Sequence, residues 1–440
     1  MTLIAASRIS LDRRSRELGR ANYNSLPIPV TPKRNAPGAT PPSCPITTAS
    51  GPALAISCDL RHSFLVTKRT VHLDPPARAR DLGISLGSHP TGPVNAITDV
   101  PGVRVGHTTL QSSGDPVVNT GVTVVVPHED IWSEPVFAGS HRLNGSGEMT
   151  GLEWIRESGE LTSPIALTNT HSVGVVRDAL VRQQVAARGE GLYWSLPVVA
   201  ETYDGLLNDI NGHHVKAEHL DAALAAASSG AVAEGCVGGG TGMICHDFKG
   251  GIGTSSRVTR TSAGDWTVGV LVQANYGRRE RLRIDGVPVG ERIGGDTVPL
   301  PDTSVRFEPG SGSIVVVVAT DAPLLPHQCD RLAQRATLGI GRMGGTGEQY
   351  SGDLVLAFST ANRGIPPYSW DEDPNIAAAE VPVRMTAPQL MTRLFDLTVE
   401  ATEEAIVNCL VAARTTTGPR GVTAHALDHD LLRQVLGTTT

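Results

Sequence analysis

The chain is 440 residues long, 40% hydrophobic and 18% charged, sufficient for one large core or two smaller ones. A net charge of −7 leaves no basic footprint for nucleic acid, and no stretch approaches the roughly 20 apolar residues needed to cross a bilayer. Glycine is abundant at 48 residues and aromatics make up only 4%, a balance that points to a sheet-rich α/β protein with tight turns.

Residues 1–80 are rich in Pro, Ser, Thr and Arg and lack sustained periodicity, which predicts a disordered leader. No apolar core segment follows the early arginines, so a secretory signal fits poorly. A single domain is expected over residues 81–440. Within it, residues 95–106 read as a strand pair around Pro101-Gly102, and residues 121–127 and 165–170 as buried strands. Residues 173–187 carry a helical pattern, and residues 218–228 form an alanine-rich helix. Strands follow at 266–275, 313–320 and 353–360, with helices at 324–336 and 387–413, the last either one long helix or two broken ones. Many strands follow one another through short turns, which favours a layered α/β sandwich with mixed or antiparallel sheets. The six cysteines (Cys44, Cys58, Cys236, Cys245, Cys329, Cys409) lack metal-ligand or disulfide spacing and read as thiols of a reducing compartment, the cytoplasm.

The most informative run is Gly310-Ser311-Gly312-Ser313 followed by Ile314, Val315, Val316, Val317 and Val318. A glycine-rich turn delivers a serine to the first position of a β-branched strand. One reading is an ordinary turn before a core strand. The other is a junction that the chain cuts itself, at Gly312–Ser313, freeing a serine whose new α-amino group acts as general base. Such an amine has a reference pKa of roughly 7.7–8.0. Gly253–Thr254 is a rival junction, although Arg257 and Thr259 make a polar strand there. The surrounding glycine-dense segment 237–257 contains no G-x-x-x-x-G-K-[ST], so it is not a nucleotide loop. The histidines lack zinc spacing, no G-x-S-x-G elbow occurs, and neither metal nor cofactor is expected. Ser351 and Asp353 share a strand face, where a hydroxyl and a carboxylate can form a proton relay or simply cap a turn. Trp194, Glu201 and Tyr203 place a carboxylate among aromatics, a combination suited to an ammonium group or to a core edge.

Taken together, ITDVPGVRVGHTTL, NGSGEMTGLEWI, PIALTNTHSVGVVRDAL, ETYDGLLNDINGHHV, GGGTGMICHDFKGGIGTSSR, VQANYG, GSGSIVVVVATDAPLLPHQCDRLAQRA and YSGDLVLAFSTANR resemble the L-aminopeptidase/D-Ala-esterase/amidase and β-aminopeptidase family. The resemblance runs from about Arg78 to about Ala413. It implies a four-layer αββα sandwich, similar to N-terminal-nucleophile hydrolases but with different connectivity. It also implies an α chain ending at Gly312 and a β chain of residues 313–440, with Ser313 as nucleophile. Ser351 and Asp353 would then form the relay, Asn275 the oxyanion donor, and Tyr203 a neighbour of the reacting centre. Glu201 would bind the substrate's amino terminus, with Trp194 walling the pocket. Asp353 stands where some β-aminopeptidases carry the longer Glu, which points towards α-amino-acid substrates. The implied partners are small peptides, amino-acid amides and esters, with a homo-oligomer, a tetramer, as the assembly. An acyltransferase of the ornithine-acetyltransferase type and an unprocessed, non-catalytic homologue are the alternatives.

Overall fold

The computed structural model describes residues 77–189, 191, 194–261, 264–302, 312–366 and 380–438. Almost all of the expected leader lies outside them, as do Tyr193, Gly310 and Ser311. The chain divides at Thr70–Val71, and every described residue belongs to the second unit.

The first half runs β1 (Arg104–Ser112), β2 (Val118–Val126), β3 (Val136–Arg142), α1 (Leu152–Ser158), β4 (Glu160–Leu161), β5 (Ile165–Asn169), α2 (Val173–Arg188), β6 (Val198–Thr202) and α3 (Ala217–Ala225). It continues through β7 (Ile244–Cys245), β8 (Phe248–Lys249), β9 (Gly251–Thr261), β10 (Gly264–Asn275) and α4 (Val289–Arg292). The remainder is β11 (Gly312–Thr320), α5 (Pro326–Arg342), β12 (Ser351–Ser359), α6 (Met391–Ala412), β13 (Thr416–Thr417), β14 (Thr423–Ala424) and α7 (His429–Leu436).

Strands β1-β2-β5-β6 make a four-stranded sheet, and β4-β3-β12-β11-β10-β9 a six-stranded one. The apolar run in β11 explains how they stack. Residues two apart share a face of a strand. Ile314, Val316 and Val318 pack with Leu332, Ala336, Leu397 and Ala401 of α5 and α6. Val315, Val317 and Ala319 instead meet Val125, Ile165, Leu167 and Val198 of the other sheet. On the far side of that sheet, Val122, Val124 and Ala166 pack against Val176 and Leu180 of α2 and Leu220 of α3. The result is the expected four-layer αββα sandwich. Helix α6 is continuous, and among the described residues no helix is long and apolar enough to cross a membrane.

Two segments depart from the pattern of the sequence. Residues 95–106 contribute only β1, because the Asp99 carboxylate accepts N–H groups from Val94 (3.0 Å) and Ala96 (3.0 Å) and curls Ile97–Asp99 into a 3-10 turn. Strand β9 is buried despite its hydroxyls. Ser255 Oγ donates to Ala401 O at 2.6 Å, and Thr254 Oγ1 to Val270 O at 2.6 Å, so these polar side chains are satisfied inside the core.

Arg257 of β9 is wholly buried. Its guanidinium meets Glu404 at 2.5 Å and Glu400 at 3.2 Å on α6, while Arg80 meets Glu404 at 2.8 Å. The described body thus already includes Arg78–Arg80, the last residues of the expected leader, tied down by buried carboxylates. A buried pair gains little over an apolar one, but losing one partner strands a charge. Glu404→Ala should therefore lower unfolding free energy by about 3–5 kcal/mol in denaturant titration. Glu153→Ala, which removes an exposed pair with Arg156, should change it by about 0.5 kcal/mol or less.

Candidate active site

Three strand ends meet at one level of the six-stranded sheet. Asn275, last in β10, pairs with Ser313, and Ser313 pairs with Gly352 of the parallel neighbour β12. Ser313 lies on the same strand face as Val315 and Val317, the face turned towards the other sheet. There the layers part around a cavity of about 930 Å³ whose lining includes Ser313, Gly312, Asn275, Tyr276, Glu201, Tyr203, Thr170, Ser146, Gly147, Glu148, Tyr350 and Arg420.

Ser313 Oγ lies 2.6 Å from the carbonyl oxygen of Gly312, to which it donates, and accepts the Gly352 N–H at 3.2 Å. The hydroxyl is therefore held against the peptide bond that precedes it. Gly312 is needed for closeness: a Cβ there would stand 2.3 Å from Asn275 O.

Asn275 has its orientation dictated by its partners. Oδ1 accepts from Ile244 N at 2.8 Å, so Nδ2 is the atom that reaches Tyr203 O at 2.9 Å. One N–H remains for the cavity. Tyr203 is 40% exposed, and its hydroxyl has no hydrogen-bond partner among the described residues. The phenol folds over Gly205, where a Cβ would be 2.3 Å from the hydroxyl.

Glu201, near the end of β6, is 4% exposed. One carboxylate oxygen accepts from Glu148 N at 2.9 Å and the other from the Thr170 hydroxyl. Burial raises its pKa despite those bonds. Gly147 leaves space in front of it, since a Cβ there would be 3.2 Å from Glu201 Oε1.

Ser351 Oγ donates to Asp353 Oδ1 at 2.6 Å, and Asn144 Oδ1 anchors Asp353 N at 2.9 Å. Burial pushes the Asp353 carboxyl up to about 6, against the bonds from Ser351 and the Ile314 N–H. This pair does not line the cavity and makes no hydrogen bond to Ser313 Oγ. It sits behind the strand, beside the Gly312–Ser313 peptide, because Gly312 pairs with Ser351 and Ile314 with Asp353. Trp194 is also absent from the lining, and its ring stands edge-on to Trp154 at 4.6 Å. The rival junction lies mid-strand in β9, where the Thr254 hydroxyl also accepts Ile97 N at 2.8 Å and a Cβ on Gly253 would meet Ala405 O at 1.9 Å. No room for a substrate exists there.

Several cavity residues were not singled out from the sequence. Thr170 and the 146–148 loop lie in quoted segments but acquire meaning only by meeting Glu201. Tyr276 directly follows Asn275, and its buried hydroxyl has no partner among the described residues. Arg420 has no local signal at all. His128, Asp130 and Glu134 cluster within 4.8 Å of one another, but His128 Nε2 donates to Glu134 O at 2.9 Å and Nδ1 accepts Asp130 N at 3.2 Å. Both ring nitrogens are thus occupied within the protein.

The sequence profile of peptidase family S58 matches residues 95–424. The β-peptidyl aminopeptidase BapA of Sphingosinicella microcystinivorans is 49% identical over 372 residues, 82% of this chain and 91% of that protein. BapA of Sphingosinicella xenopeptidilytica is 46% identical over 375 residues, 82% of this chain and 90% of that one. Among solved structures, a Burkholderia sp. β-aminopeptidase superposes with a TM-score of 0.75 at 55% identity, covering 82% of this chain and 98% of that one. The L-aminopeptidase D-Ala-esterase/amidase of Ochrobactrum anthropi superposes with a TM-score of 0.73 at 42% identity, covering 82% and 98%. That structure is described as a new variant among the Ntn hydrolase fold, and the present chain shares it.

The Asp353 geometry yields a pH dependence. Ser351 donates to Asp353 Oδ1, a bond that favours the charged carboxylate, and the charged form predominates above about pH 6. Turnover should rise with pH through about 6 and fall away below it. Asp353→Asn should abolish that limb and reduce kcat by roughly 10²-fold or more in a pH–rate profile.

Proposed function

Because the chain belongs to peptidase family S58, a group of hydrolases that includes aminopeptidases, we propose that it is a self-processing aminopeptidase working through Ser313. The observation that carries this reading is the Ser313 hydroxyl, held against its own preceding carbonyl at the wall of a cavity that also contains Glu201.

In the first reaction Ser313 Oγ attacks the Gly312 carbonyl carbon. The C–N bond breaks, the Oγ proton passes to the nitrogen, which leaves as the neutral α-amine of Ser313, and an ester joins the two halves. Water then hydrolyses the ester, leaving a carboxylate on Gly312 and a free Ser313 hydroxyl. In the second reaction that α-amine removes the hydroxyl proton as Oγ attacks a substrate carbonyl, forming an acyl-enzyme that water resolves. The Asn275 Nδ2–H stabilises the oxyanion, an interaction worth on the order of 10²–10³ in rate in other hydrolases. Ser351 and Asp353 act on the new amino terminus rather than on Oγ. Their position beside the Gly312–Ser313 peptide supports this assignment. Glu201 pairs with the substrate ammonium, whose charge compensates a carboxylate held in a buried site.

The substrates are small peptides, amides and esters with a free amine. Asp353 leans towards α-amino acids, whereas the sequence identities are higher to the β-peptidyl enzymes (49% and 46%) than to the L-aminopeptidase (42%). Both classes belong in the assay. A homo-oligomer, the tetramer implied by the resemblance, is part of the same proposal.

Ser313→Ala should migrate as one uncut chain on a denaturing gel and show no amidase turnover. The unmodified protein should give a fragment whose N-terminal sequence begins at Ser313, and one beginning at Thr254 would refute the assignment. Glu201→Gln should raise KM for free-amine substrates by about tenfold or more, with a smaller change in kcat.

A further inference from the structure

Only one cationic side chain, Arg420, lines the reaction cavity among the described residues. It is exposed, and its guanidinium makes no ion pair or hydrogen bond to any described residue. The acidic lining residues are Glu201 and Glu148. Ser313 therefore lies in a cavity that offers buried negative charge and one free positive charge.

The two signs belong to different walls. Glu201 faces Thr170 and the 146–148 loop, and Gly147 also approaches Gly352, the residue that donates to Ser313. Arg420 belongs to the turn between β13 and β14, on the side of Tyr203 and Leu206. The field of Arg420 reaches the Tyr203 phenol, and Tyr203 O holds Asn275.

The turn that carries Arg420 is built to hold still. Arg420 has φ of +61°, a left-handed backbone that is unusual for a non-glycine residue and recurs at functional sites. The base of the turn is closed by Gly418 N donating to Val422 O at 2.8 Å. Gly418 presses so closely on the neighbouring loop that a Cβ would stand 2.3 Å from Leu207 Cα. Asn119 Nδ2 joins both sides, donating to Leu207 O at 2.8 Å and Thr417 O at 3.3 Å. Val422 and Ala424 complete a small apolar cluster with Leu207 and Ile244, the residue whose N–H orients Asn275. A rigid turn thus presents a guanidinium with no ion-pair partner among the described residues, at the mouth of a site whose other described lining groups are acidic or neutral.

We propose that Arg420 binds the C-terminal carboxylate of the substrate, making short peptides with both termini free the preferred substrate class over their amides. This deepens the aminopeptidase reading and rests on it for direction: ammonium at Glu201, scissile carbonyl at Ser313, carboxylate at Arg420. Guanidinium and carboxylate are matched in charge and in fork geometry.

The test compares one dipeptide with its C-terminal amide, so that only the carboxylate changes. The wild-type kcat/KM ratio of acid to amide should exceed one and shrink as salt is raised. Arg420→Gln should reduce that ratio about tenfold, mainly through KM for the acid. Arg420→Glu should invert the ratio, and Arg420→Lys should recover part of it. A ratio unchanged in Arg420→Gln overturns the proposal, whether both substrates weaken equally or only the oligomeric mass changes. Equilibrium binding of the same two compounds to Ser313→Ala, with and without Arg420→Gln, gives a second readout independent of turnover. If the wild type hydrolyses neither compound, the aminopeptidase reading itself fails. The charge preference in binding, present or absent, then decides Arg420 by itself.

Discussion

The hydrogen-bond register across β10, β11 and β12 is the constraint on which the site depends. It sets Asn275 beside Ser313, and Ser313 beside Gly352, at one height of the sheet. A slip of one residue would turn Ser313 to the helical face and carry an isoleucine into the cavity. The apolar remainder of β11 protects that register. Alternate residues of the strand fill two different cores, one against α5 and α6 and one against the second sheet, so neither face tolerates the exchange. Catalytic geometry and core packing are the same arrangement viewed at the two ends of one strand.

Around that register, glycine is placed where backbones must approach. Gly312 admits the end of β10, Gly147 leaves the front of Glu201 open, and Gly205 accommodates the Tyr203 phenol. Each removes a Cβ that would otherwise fill the cavity or push a functional group aside. The abundance of glycine in an aromatic-poor chain thus has a local explanation at the site: close backbone contact supplies shape that bulky side chains would supply elsewhere.

Charge is distributed with equal economy. Arg257 and its carboxylates lock the N-terminal described segment to α6, where Arg80, Arg257, Glu400 and Glu404 are all paired. Glu201 is different, with hydrogen bonds from Glu148 N and Thr170 and no ion pair to a described lysine or arginine, and burial raises its pKa. Asp353 is raised to about 6 for the same reason. Two carboxylates raised by burial near one serine differ in this from the structural ion pairs at Arg257.

Much of this was legible in the one-dimensional chain. The Val/Ile run of β11, the i, i+2 spacing of Ser351 and Asp353, and the strand ending on Asn275 are local patterns, and local patterns survive in sequence because strand periodicity is local. The burial of polar strands was not legible. Strand β9 is buried by partners far along the chain, and residues 95–106 curl because one carboxylate competes with pairing. Sequence alone picked out the candidate chemical groups and placed Ser313 near the start of a buried strand. Tertiary structure decided which of them share a cavity. It placed Ser351 and Asp353 behind the Gly312–Ser313 peptide, set Trp194 against Trp154 away from the lining, and brought Arg420 to the mouth of the cavity. The reason is physical: a side chain's type is written at its own position, but its surroundings are set by sheet register and loop packing among segments that lie hundreds of residues apart.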